Sequence, residues 1–436
     1  MPTRKLGFLL AILGILMGLA SSSGAAEKLS PKLLALINSP EYQEAHWGCL
    51  VVDLDSGETL YELNADKLFA PASTTKLFSC ATALDSLGAN YRFETPVYRR
   101  GDLDQEGRLK GDLILVASGD LTMGGRTTPE GKIAFVAHDH TYANDSLKGE
   151  LTAPDPLQGL NELAQKVAAS GIKQVRGDVV IDDRLFEIAE SSGSGPVRVS
   201  PILINDNLLD FVIAPTKSGQ LAQMSSRPET ASIRVDSRIF TVAAGESMEI
   251  SVHYTGPRNV RLEGQIPEGH KPLLRTVEIS DSVSFARSLL IEALQRAGVV
   301  VERSVWADNS KDKLGSREEV TRLPKVATIL SPPLHESVKL ILKSSHNLHA
   351  STLPLLIAAK NGKQTLADGL KIEREFLIRA GVNTETISFG GGAGGSPADA
   401  VTPGAAVQLL RHMASRPDAA VYRSSLPILG VDGTLS

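Results

Sequence analysis

The sequence predicts a mixed α/β fold in which a helix-bearing unit, built from both ends of the chain, is interrupted by a long strand-rich insertion. Two patterns and one bound lead there. Apolar residues recur at helical spacing near residues 74–87 and again from residue 281 to residue 414. Between them, residues 203–275 read as short strands broken by Gly, Pro and Asn. The bound is size: 436 residues, 42% hydrophobic and 22% charged, suit about two to four domains with real cores and exclude disorder for most of the chain.

The N-terminus reads as an address. Arg4 and Lys5 precede an apolar run, Leu6 to Ala20, and the small residues Ser21 to Ala26 follow. That order is the one a secretory signal peptide needs, over residues 1–26, and the run falls short of the ~20 residues that span a bilayer. An uncleaved anchor is the competing reading. No Cys at the junction supports a lipid anchor, and no later segment reads as membrane-spanning. Export to the periplasm or cell envelope is the expectation. The formal charge is −5, and −7 without Arg4 and Lys5, so the chain carries no basic footprint for nucleic acid or anionic lipid. Its two cysteines, Cys49 and Cys80, sit in apolar runs and read as buried free thiols rather than a disulfide.

Trp47–Glu62 predicts a hairpin whose turn is Asp55-Ser56-Gly57, followed by a helix from about Thr74 to Leu87 that Gly88 closes. Leu160, Leu163, Ala164 and Val167 line one face of a second helix, and Gly177–Asp182 reads as a strand. Strands are expected at Leu208–Ala214, Ala231–Val235, Phe240–Val242, Met248–Tyr254 and Val260–Leu262. Helical spacing returns at Asp281, with Ala286, Leu289, Leu290, Ala293 and Leu294 as its stripe, and continues in helices near 334–343, 347–359, 364–380 and 403–414.

Two short patterns carry chemistry. Ser73 and Lys76 in Pro71-Ala72-Ser73-Thr74-Thr75-Lys76 are three apart at a helix start, so their side chains share a face. An amine with a depressed pKa there can take the serine proton, and the helix N-terminus offers N–H groups to a developing oxyanion. A helix cap with a solvated lysine is the bland alternative. Ser345-His346-Asn347 places a hydroxyl and a carboxamide two residues apart on a loop entering a helix, able to carry a proton and hold a substrate amide. Other patterns read as decoys. Gly390, Gly392 and Gly395 fit a dinucleotide fingerprint but are followed by Pro397, far from any N-terminal βαβ unit. His138-Asp139-His140 reads as a solvated loop, and His346, His349 and His412 as surface or local packing. No metal and no cofactor is expected.

With these motifs the sequence resembles the class C low-molecular-mass penicillin-binding proteins, D-alanyl-D-alanine carboxypeptidases and endopeptidases of bacterial cell walls. The resemblance rests on Phe69–Lys76, Gly111-Asp112-Leu113, Gly119-Asp120, Gly177–Asp182, Ser200-Pro201, Asn205-Asp206-Asn207, Ser331-Pro332-Pro333, Ser345–Leu348, Val401-Thr402-Pro403 and Val431–Leu435, in that order. S-x-x-K followed by a Ser-x-Asn motif is the signature of this class. It implies a serine β-lactamase/DD-peptidase-like α/β (α+β) domain, an antiparallel sheet with helices on both faces, formed by residues 27–93 and 277–436. Two inserted strand-rich accessory domains would be residues 94–202 with 265–276, and residues 203–264.

It also implies Ser73 as acylated nucleophile, Lys76 as its base, Ser345 as proton relay to the leaving D-alanine, and Asn347 as the residue holding peptide and lysine. Asp182 would lie near a contact to the stem peptide's side chain. Peptidoglycan stem peptides are the implied substrates and β-lactams the implied covalent inhibitors. The rivals are a β-lactamase or esterase on the same fold, and a non-catalytic wall-binding scaffold. Two departures stand out. The family's Lys-Thr-Gly strand and closing helix would follow Leu435, whereas the sequence stops at Ser436, so a truncated and inactive chain is one expectation. The family's Asp-Gly-Ser-Gly-Leu-Ser-Arg run is here Gly391–Pro397, without its Asp and Arg.

Overall fold

A computed structural model describes residues 31–145 and 149–436; the expected signal segment, 1–26, lies outside the described residues. Among the described residues no helix is long and apolar enough to cross a membrane.

Two cores divide the molecule. The first belongs to the insertion. Strands β3 (Glu94–Leu103) and β4 (Arg108–Val116) form a long antiparallel pair, Val97 opposite Leu115. The short strands β5 (Gln174–Val175) and β6 (Val179–Asp182) run parallel to β4. Crossover helices make such parallel pairs possible, and here helix α2 (Gln158–Ala169) provides one. Its apolar stripe, Leu160, Leu163 and Val167, is fully buried with Leu113 and Leu115 of the sheet. A hairpin of β7 (Ala189–Glu190) and β8 (Arg198–Val199) leaves this body. Two three-stranded sheets extend it. Strand β9 (Leu208–Ala214) lies between β10 (Gln223–Arg227) and β14 (Leu273–Glu278). Strand β13 (Asn259–Pro267) lies between β11 (Arg234–Val242) and β12 (Glu249–Gly256). In β12 exposed and half-buried residues alternate along the strand, the period-2 pattern of a sheet with one wet face.

The sequence reading returns the chain to the helix-bearing unit at residue 277, and the structure moves that boundary. Helix α3 (Ser282–Arg296) packs Ala286, Leu289, Leu290 and Ala293 into the insertion's core. Strand β15 (Val300–Val301) then extends the insertion's sheet beside β5, and β16 (Lys325–Leu330) pairs with β3 on its other side. The chain re-enters the other unit at Ser331. A helical stripe specifies that a face is buried, not which core buries it, so spacing alone could not place α3.

The second core is helical. Helices α1 (Thr75–Leu87), α4 (Leu334–Ser344), α5 (Asn347–Lys360), α6 (Leu366–Arg379), α7 (Pro403–Ser415) and α8 (Ala419–Ser425) enclose Phe78, Val338, Ile341, Leu353, Leu356, Phe376, Leu409 and Tyr422. Helix α5 has no wet face and is buried from Asn347 to Ala358, which makes it the axis of the unit. The strands described here are two short antiparallel pairs: β1 (Cys49–Val52) with β2 (Thr59–Leu63), and β17 (Ile387–Ser388) with β18 (Ala400–Val401). Cys49 on β1 and Cys80 on α1 are free thiols, the second fully buried. Leu121, Phe186, Val199 and Leu203 reach from the insertion into this core, so the two bodies share an apolar seam.

Candidate active site

Ser73 sits on a single 3-10 turn, Ala72–Thr74, that runs straight into α1. Ala72 before it has φ 45°, a left-handed backbone that costs a non-glycine residue roughly 1–3 kcal/mol and persists only where its surroundings fix it. One turn later Lys76 points back along the same face, as the three-residue spacing requires. Its Nζ lies 2.9 Å from Ser73 Oγ, 2.7 Å from Asn347 Oδ1 and 2.9 Å from the Ala393 carbonyl oxygen. Burial without a carboxylate partner pushes the Lys76 amine down to about 8.

This cradle sets the direction of proton transfer. The Asn347 and Ala393 oxygens can only accept, so a neutral amine spends its two hydrogens on them. Its lone pair is then left facing the Ser73 hydroxyl. Ser345 Oγ lies 2.7 Å from Ser73 Oγ on the other side. Asn347 is locked in turn by its Nδ2, which donates to the Ser194 carbonyl at 3.0 Å, on the loop between β7 and β8. Ser73, Lys76, Ser345 and Asn347, expected from two separate motifs, thus form one cluster.

The wall opposite is the glycine-rich loop 390–395. Pro354 in α5 has no N–H, so the Ala350 carbonyl loses its helical partner, and Gly392 packs against it; a Cβ at Gly392 would lie 2.1 Å from that oxygen. Gly394, at φ +89°, passes the Ala72 carbonyl so closely that a Cβ would lie 1.7 Å from it. Between these two contacts Ala393 turns its carbonyl onto Lys76. The glycine pattern that resembled a nucleotide fingerprint is therefore the packing requirement of this wall. Asp399 holds the loop's ends through the N–H groups of Gly390 and Ser396.

Asp182 is placed elsewhere. Both of its oxygens are taken by the Arg184 guanidinium, at 2.8 and 2.9 Å. Arg184 is tied to Gln364 beyond the C-terminal end of α5, whereas Asn347 opens that helix, about 20 Å away at 1.5 Å per residue. The structure does not bring Asp182 to the cluster.

His140, expected in a solvated loop, is instead buried, and His346 and His349, read as surface or local packing, are buried beside it. Asp139, His140, His346 and His349 are all at most 4% exposed. Arg126 spans Asp139 (2.7 and 3.0 Å) and Asp206 (2.6 Å). The His140 ring bridges Asp210 (2.7 Å) and Asp206 (2.9 Å), and His349 Nε2 meets the other Asp206 oxygen at 2.6 Å. Burial opposes the charge of His140, but Asp210 and Asp139 overrule it and raise its pKa to about 10. His346, under burial and beside His349, is held well below the ordinary imidazole range. Asp206 occupies a run, Asn205–Asn207, in which all three residues have positive φ, a conformation Asn and Asp tolerate.

The trios Asp206/His346/His349 and Asp139/His140/Asp206 each bring ligand-type atoms within 4.8 Å of one another. The donor set fits an ion poorly. The carboxylates are bonded to Arg126 and His140, and the His346 and His349 rings stack 3.8 Å apart, so their lone pairs run side by side rather than converge.

Sequence reasoning missed the Ala393 and Ser194 carbonyls, the Tyr142 hydroxyl that meets the Ser345 carbonyl at 2.6 Å, and the whole buried network. Backbone groups leave no mark in a sequence. The available signal was His346 and His349, three apart beside a catalytic motif.

Comparison with known proteins finds relatives over most of the chain. A D-alanyl-D-alanine carboxypeptidase of Actinomadura sp. (strain R39) is 27% identical, over 98% of this chain and 76% of its own. The D-alanyl-D-alanine carboxypeptidase DacB of Haemophilus influenzae is 22% identical over 89% of this chain and 75% of its own. Its crystal structure, penicillin-binding protein 4, superposes with a TM-score of 0.65 at 20% identity, covering 89% of this chain and 79% of that one. It has also been solved with a β-lactam. The model of the D-Ala-D-Ala carboxypeptidase 3 (S13) family matches residues 29–436, and the chain belongs to that family.

Proposed function

We propose that the chain is a serine-type D-Ala-D-Ala peptidase that hydrolyses peptidoglycan stem peptides through a Ser73 acyl-enzyme and is inhibited by β-lactams. The observation that carries this reading is the Lys76 cradle, which leaves the amine's lone pair no partner but Ser73. Lys76 takes the Ser73 proton as Oγ bonds to the carbonyl carbon between the two D-alanines. The Ser73 N–H supplies one donor to the oxyanion. The C–N bond breaks as Ser345 Oγ passes its proton to the departing amine and receives the one Lys76 took from Ser73, which leaves Lys76 neutral, while Asn347 holds the peptide. Lys76, neutral again, then deprotonates a water whose oxygen bonds to the acyl carbon; the ester bond to Ser73 Oγ breaks, Oγ takes the proton back from Lys76, and the shortened peptide leaves.

Because the base is the neutral amine, acylation rises about tenfold per pH unit below about 8 and levels off above it. A β-lactamase reading is not favoured: among the described residues no carboxylate hydrogen-bonds to Ser73, Lys76, Ser345 or Asn347 to serve as a deacylating base. A scaffold would have no use for the cradle. Residues 1–26 support export to the cell envelope, and residues 94–330 would act as accessory domains.

Fluorescent penicillin followed by peptide mass mapping tests the assignment. The adduct is expected on Ser73 and absent from Ser73→Ala; an adduct on any other residue overturns it.

A further inference from the structure

Ser345 stands in a left-handed conformation, φ 55° and ψ 38°, at the junction of α4 and α5. That costs a serine energy, so something must hold it there. The helical unit supplies part of the hold, since the Ser345 and His346 N–H groups both close onto the Ile341 carbonyl. The rest comes from the insertion. The Tyr142 hydroxyl donates to the Ser345 carbonyl at 2.6 Å, and the preceding Ser344 Oγ donates to the Val136 carbonyl at 2.6 Å. Tyr142 is buried, which pushes its phenol up to about 12 and keeps it an O–H donor across the working range.

Tyr142 belongs to the 3-10 turn His140–Tyr142, whose N-cap Asp139 accepts from the Thr141 N–H. This turn cannot drift. Arg126 grips Asp139, His140 is pinned between Asp206 and Asp210, and His349 on the first turn of α5 is pinned to Asp206 as well. One buried clasp therefore fixes both the turn that carries Tyr142 and the helix that starts beside Ser345.

We propose that Tyr142 is a positioning residue for the proton relay: its hydroxyl holds the Ser345 backbone so that Ser345 Oγ stays within reach of Ser73. The inference rests on Ser345 acting as the relay to the leaving group. The insertion is then part of the chemistry as well as the shape, because a residue from it sets how fast the leaving amine is protonated.

A leaving-group comparison tests this with the full chain and Tyr142→Phe. One substrate is an N-acylated peptide ending in D-Ala-D-Ala. The other is the matching thioester, whose thiolate departs without a proton. In Tyr142→Phe, kcat on the peptide is expected to fall about ten- to a hundredfold, with KM within about twofold. The thioester kcat should stay within about threefold, since the Ser73–Lys76 pair is untouched. A peptide kcat equal to wild type overturns the proposal, as does an equal fall on both substrates, which a general loosening of the site would give. The ring is retained, and circular dichroism and the melting curve confirm the fold. If wild type itself turns over neither substrate, the functional reading fails instead, independently of Tyr142.

Discussion

Lys76 in the catalytic cluster and the cations of the buried clasp are comparably dry, yet the two sites treat positive charge in opposite ways. Lys76 is 1% exposed and meets only neutral acceptors; burial then lowers its pKa to about 8. Arg126 is 5% exposed and meets two carboxylates, which overrule the cost of burial and hold it above its usual value. His140, between Asp210 and Asp206, follows Arg126. Burial is common to Lys76, Arg126 and His140. What differs is the counter-ion: the protein makes a base by withholding one and a clasp by supplying several.

Four substitutions probe that contrast. The largest effect is expected where a supplied partner is removed. Arg126→Met leaves Asp139 and Asp206 buried without their guanidinium, and should cost about 3–5 kcal/mol of stability in urea denaturation. A loss below about 1 kcal/mol would show that the carboxylates are neutralised in some other way. The same clasp predicts a pH trend. The folded His140 pKa of about 10 lies above the unfolded value of about 6.5. Its contribution is therefore complete below about 6.5 and is lost as pH rises through about 10. His140→Gln should flatten that alkaline decline.

The middle effect comes from supplying what the active site withholds. Asn347→Asp would set a carboxylate where an amide oxygen now lies 2.7 Å from Lys76 Nζ. The Lys76 pKa should rise by about 1–2 units, so penicillin acylation at pH 7 falls about ten- to a hundredfold and recovers toward pH 10. A fall that is the same at every pH would mean that Asn347 matters for its shape or amide rather than for its neutrality.

The last effect concerns a buried acid whose oxygens have no hydrogen-bond partner among the described residues. Glu373 on α6 is 2% exposed; burial, and then Asp399, raise its pKa to about 8. An acid held neutral in the fold loses stability as pH climbs from its unfolded value toward 8. Glu373→Gln should match wild type at pH 4 and become increasingly more stable than it as pH rises toward 8. Equal stability at both pH values would place a partner on that carboxyl.

What was legible in the sequence follows the same division. Ser73, Lys76, Ser345 and Asn347 could be read because each pair is local, three or two residues apart, and local spacing survives folding. The strand Leu208–Ala214 and the helix after Asp281 were equally readable from period and cap. The neutral acceptors and the clasp were not. Ala393 acts through a carbonyl, and Asp206 meets His349 across a separation of 143 residues, which no pattern within a window can register. The loop around His140 looked solvated because polar residues in a glycine-rich stretch look the same whether they face water or one another.

The distances along the chain carry a consequence for the order of folding. Lys76 meets Asn347 after 271 residues and Ala393 after 317. Contacts this remote form late, because long loops must close before they reward the chain. A polypeptide made from its N-terminus thus exposes Ser73 and Lys76 long before the oxygens that accept the amine's hydrogen bonds are in place. During that interval Lys76 is an ordinary charged surface lysine, and Ser73 is inert. Reactivity arrives only when the insertion has folded and the chain has come back, so the nascent protein carries its own delay on acyl transfer.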